Sequence, residues 1–108
     1  MNYIIDFFTG AFLCNCIPHL VSGLQGAPFP TPFAKPAGVG DSSPVVNFFW
    51  GAFNGLIGAF ILFRHPVAAG FNPDFITLVL GALVVGTQSS IHFGKVRRDK
   101  SGKPKGGA

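Results

Sequence analysis

The stretch PVVNFFWGAFNGLIGAFILF, from Pro44 to Phe63, contains no Asp, Glu, Lys or Arg. About 20 helical residues rise about 30 Å, the thickness of the hydrocarbon layer of a bilayer. A helix on a water-soluble fold must show a polar face, and this stretch has too few polar residues to make one. Ser43 followed by Pro44 supplies an N-cap and then proline at the first helical position, while Arg64, His65 and Pro66 close the stretch. Residues 44–63 therefore read as a transmembrane helix.

Two more charge-free runs lie on either side, Phe7 to Ala34 and Phe75 to Gly94. The first predicts a span over 3–24. It is the weakest of the three, because Asn15, His19, Ser22 and Gln25 recur at helical spacing, and Pro18 predicts a kink. The second follows Asn72-Pro73-Asp74, which repeats the cap-then-proline opening, and predicts a span over 74–94. The expected fold is all-α, a small polytopic transmembrane bundle of three spans forming one membrane domain over 1–108. The alternative is a two-span hairpin with a re-entrant or interfacial N-terminal helix.

Composition agrees with this reading. Charged residues make up 11% of the 108, against about 25% in ordinary soluble domains. Fifteen glycines and nine prolines exclude a single long coiled coil. Residues 26–43 contain Pro28, Pro30, Pro32 and Pro36, which exclude regular helix or a central strand and predict an extended, polyproline-like loop. Phe29 and Phe33 are too apolar for a free linker and are expected to dock at the membrane surface or on the helices. Residues 95–108, rich in Lys, Gly and Pro, predict a basic flexible tail. Met1 to Asp6 has no basic residue, so the first segment is expected to stay attached rather than act as a secretory signal.

With three spans, Lys35 and the tail residues Lys95, Arg97, Arg98, Lys100, Lys103 and Lys105 share one side, and Arg64 lies on the other. The positive-inside rule then places the N-terminus outside and the C-terminus in the cytoplasm, in a bacterial-type inner or plasma membrane. The hairpin alternative satisfies the charge bias equally. The tail follows a span directly and lacks interleaved aromatics, so it reads as a membrane flank and not as a nucleic-acid site.

Small residues recur every four positions in each segment: Gly51, Gly55 and Ala59; Ala82, Gly86 and Ser90; and Gly10, Cys14, Pro18 and Ser22. Such ridges let helices approach closely. Asn47 and Asn54, seven apart, need hydrogen-bond partners in hydrocarbon and point to a buried face.

The cluster Cys14-Asn15-Cys16-Ile17-Pro18-His19 contains the residue types that bind soft metals. Residues i and i+2 diverge on a helix, however, and no four-ligand set exists. Cys14, Cys16, His19 and His92 are therefore weak metal candidates, and no cofactor is expected. His19 and His92 fall at similar depth, as two axial haem ligands would, but bonding to backbone or water accounts for them more simply. No nucleophile elbow, phosphate loop or zinc-protease motif occurs.

The sequence therefore points to a non-enzymatic accessory or assembly subunit. Its partners would be the lipid bilayer and other membrane helices, or itself as a homo-oligomer, with no nucleic acid. The alternatives are a homo-oligomeric small transporter or channel, and a redox or metal-binding membrane subunit.

Overall fold

A computed structural model describes residues 2–102. Three helices dominate it: α1 (Tyr3–Leu24), α2 (Pro44–Arg64) and α3 (Pro73–Lys100). Each starts as its sequence dictates. The side chains of Asn2, Ser43 and Asn72 accept hydrogen bonds from the backbone N–H groups of Ile5, Val46 and Phe75, and proline opens α2 and α3. All three are long and apolar enough to cross a membrane. That includes α1, which runs as one helix through Pro18.

The pattern of burial is inverted relative to a water-soluble protein. The buried apolar side chains among the described residues are Cys16, Pro30 and Val96, whereas Asp6, Thr9, His19, Thr31, Asn47 and Asn54 are all buried. Ile4, Leu24, Phe49, Leu56, Phe60, Phe63, Leu83 and Ile91 face outward. Hydrocarbon solvent gives apolar side chains no reason to leave it, while polar groups and small residues gain by meeting one another inside.

Helix α1 is the centre of the molecule. It packs against both α2 and α3, which scarcely touch each other. Backbone meets backbone at these crossings. A Cβ added at Gly10 would fall on the Leu78 carbonyl oxygen, and one at Gly81 on that of Phe7. At Gly51 an added Cβ would lie 2.7 Å from the Leu20 nitrogen.

Two boundaries depart from the sequence expectation. Helix α3 does not stop at residue 94 but continues to Lys100, so Lys95, Arg97, Arg98 and Lys100 are helical, not part of a flexible tail. Its 28 residues rise about 42 Å, about 12 Å more than the hydrocarbon requires. The added turns are basic residues of good helix propensity at the end of the helix where the dipole favours cations. Lys103 and Lys105 lie outside the described residues. In the loop, Phe29–Pro30 pairs antiparallel with Asp41–Ser42 as a two-stranded ladder (β1 and β2). A ladder this narrow is all edge, and an edge tolerates proline.

Candidate functional site: a buried polar network under the loop

The last turns of α1, the first turns of α2 and the final turns of α3 meet at one end, and the loop folds over them. Asn47 stands one turn into α2 and is fully buried. Its amide nitrogen donates to the carbonyls of Phe29 (2.9 Å), Ser42 (3.1 Å) and Ser43 (3.1 Å). Its amide oxygen lies 2.8 Å from Nδ1 of His19, which is itself 3% exposed. One side chain thus joins the end of α1, the start of α2 and both strands of the loop.

Aromatic rings close the network. Phe29 lies edge-on to His19 at 5.5 Å and against Phe93 of α3 at 4.7 Å. Phe33 remains exposed but places its ring edge-on to Trp50 at 5.0 Å. The two loop phenylalanines therefore both dock on the helices. Thr31 and Ser42 share a hydroxyl hydrogen bond of 2.5 Å, His92 Nε2 lies 2.8 Å from the Gly38 carbonyl, and Lys100 pairs with Asp41 at 2.8 Å. The last of these is an exposed ion pair, worth at most about 1 kcal/mol. The loop is fastened to all three helices.

At mid-depth lies a smaller amide pair. Asn15 Nδ2 donates to Asn54 Oδ1 at 3.2 Å, and Asn54 Nδ2 donates to the Trp50 carbonyl at 2.8 Å. Among the described residues no donor reaches the Asn15 amide oxygen. The pair borders a groove of about 250 Å³ along α1, lined by Phe8, Ala11, Phe12 and Asn15, with Asn54 of α2 and Val85 of α3 as its walls. The groove exists because α2 and α3 flank α1 without closing over it.

The weak metal candidates are dispersed. Cys14 faces α3, where a Cβ at Gly86 would lie 3.4 Å from its Sγ. Cys16 faces α2 beside Gly55, and its thiol donates to the Leu13 carbonyl at 2.9 Å. His19 is engaged by Asn47 and His92 by Gly38. Among the described residues no three His, Cys, Asp or Glu side chains converge.

The predicted small ridges are divided. Gly51, Asn54 and Gly58 are buried; Gly55 and Ala82 are half-buried, and Gly86 faces Cys14; Ala59 and Ser90 are exposed. On α2 the buried line passes through Asn47, Gly51, Asn54 and Gly58 rather than through Gly51, Gly55 and Ala59. Steps of four, three and four follow a 3.6-residue helix more closely than repeated fours, which drift around it. Gly58 and Gly81 are positions that the four-step reading passed over.

Comparison with family models, characterised proteins and solved structures returned no match to this chain.

Proposed function

We propose that this chain is a non-enzymatic membrane subunit whose open groove along α1 receives a helix of a larger membrane protein. The observation that carries this reading is Asn15. Its amide oxygen stands near the middle of a 22-residue helix, at the edge of a groove, with no donor among the described residues. A carbonyl in hydrocarbon is costly unless something donates to it, and a lipid tail has nothing to donate. A helix bearing an amide or hydroxyl supplies the missing donor while its ridge fills the space above Ala11 and between Asn54 and Val85.

Orientation belongs to the same proposal. The loop and the end of α3 lie together, joined by Lys100–Asp41 and His92–Gly38. That end carries Lys35, Lys95, Arg97, Arg98 and Lys100, and the other carries Arg64. The positive-inside rule makes the loop end cytoplasmic.

Ala11→Leu is the informative test. It fills the groove without entering the α1–α2 or α1–α3 crossings. Gly55→Leu would not serve, because Gly55 faces Cys16 and a side chain there tests internal packing. Native protein purified in mild detergent should bring a larger membrane protein with it, and the Ala11→Leu chain should lose that partner while keeping its melting temperature. A wild-type chain that purifies alone, or a Leu variant that keeps its partner, refutes the proposal. A fixed oligomer of this chain only would replace it with the homo-oligomer reading.

A further inference from the structure

The opposite end of the molecule holds a second buried polar group, and nothing in the loop network accounts for it. Asp6 lies in the first turn of α1 and is 4% exposed; Asp74 lies in the first turn of α3. Asp6 Oδ2 and Asp74 Oδ1 are both buried, and neither receives a hydrogen bond from an N–H or O–H donor among the described residues. The two carboxyls are nonetheless within hydrogen-bonding reach of each other. The backbone contacts one turn deeper, Gly10 on Leu78 and Gly81 on Phe7, bring the two helices close beneath them.

Two ionised carboxylates in this position would set acceptor against acceptor, and charge against like charge, with one oxygen of each shielded from water. One small positive ion between them satisfies both. A metal ion takes more ligands than two, and no third His, Cys, Asp or Glu side chain completes such a set among the described residues. The N-termini of α1 and α3 also already place partial positive charge here. A proton needs only the two oxygens.

We propose that Asp6 and Asp74 bind one proton between them, forming a carboxyl–carboxylate pair that clasps the N-terminal ends of α1 and α3. The protonated acid donates its O–H to the carboxylate oxygen of its neighbour. The pair carries one negative charge with the proton bound and two without it. When the proton leaves, repulsion across the seam drives the end of α1 away from α3. This reading is independent of the groove and its occupant.

Infrared spectroscopy of the whole chain in lipid nanodiscs tests it. The chain has four side-chain carboxyls, those of Asp6, Asp41, Asp74 and Asp99, and Asp41 and Asp99 are exposed. At neutral pH the carbonyl band of a protonated carboxylic acid should amount to one group per chain. It should vanish in Asp6→Asn and in Asp74→Asn and persist in Asp41→Asn. An Asn amide donates to the remaining carboxylate, so both variants keep the clasp and the fold. Absence of the band from the wild-type chain, or its survival in Asp6→Asn, overturns the proposal. Its removal by sodium or calcium at constant pH overturns it too, and reassigns the pair as a metal-cation site.

Discussion

Replacing Asn47 by Leu keeps the side chain's size and removes every polar contact it makes. Its amide nitrogen has two hydrogens for the three carbonyls it reaches, so at least one bond is shared. The Ser43 carbonyl keeps its bond from the backbone nitrogen of residue 47 at 3.0 Å. Substitution therefore orphans His19 Nδ1, while the carbonyls of Phe29 and Ser42 lose a second bond and keep the one from the ladder. One buried group left unpaired costs about 1–3 kcal/mol. At about 1.4 kcal/mol per decade, the undocked loop becomes about 5- to 140-fold more populated. Hydrogen exchange reads this directly, because the amides of Ala34 and Gly38 both donate to the Thr31 carbonyl, at 3.2 and 3.0 Å. Their exchange should accelerate by that factor in nanodiscs. Asn54→Leu breaks the mid-depth pair, typically worth about 0.6 kcal/mol, and should leave those two amides unchanged. Exchange in Asn47→Leu within threefold of wild type, or equal acceleration in Asn54→Leu, would refute the claim that Asn47 fastens the loop.

The glycine positions separate in the same assay format. Gly10→Ala places a methyl on the Leu78 carbonyl and should lower the melting temperature in detergent by several degrees, whereas Gly94→Ala, with nothing within 4 Å of the added carbon, should raise stability by up to about 1 kcal/mol through helix propensity; equal responses would remove the backbone crossing from the account. Gly86→Cys should form a disulfide with Cys14 on mild oxidation, since its Cβ falls 3.4 Å from that sulfur. Mass spectrometry that found it bonded to Cys16 instead would reverse the facing of α1.

Much of the architecture is legible because charge is so sparse. Three gaps in Asp, Glu, Lys and Arg, with Ser43-Pro44 and Asn72-Pro73 as starts, mark the helices to within a few residues. The end of α3 escapes this reading, since hydropathy reports where hydrocarbon stops and not where a helix stops, and Gly94 does not break it. The contacts are less legible. Four-step spacing finds small residues but does not say which of two adjacent positions, Gly81 or Ala82, meets the neighbouring backbone. Asp6 and Asp74 lie far apart in the chain, and each alone reads as an ordinary acidic first-turn residue. Only the close approach of α1 and α3 brings them together. Asn47 and His19 stand out as polar residues in apolar segments, but their joint role depends on how the loop folds back.

The central place of α1 bears on how the molecule is made. It leaves the ribosome before α2 and α3, and both later helices pack on it. Helix α2 arrives to find a docking wall in place, and α3 takes the opposite flank without having to displace it. A hairpin of α2 and α3 born without that wall would have little to hold it shut, so the order of synthesis is also the order in which each helix finds its neighbour.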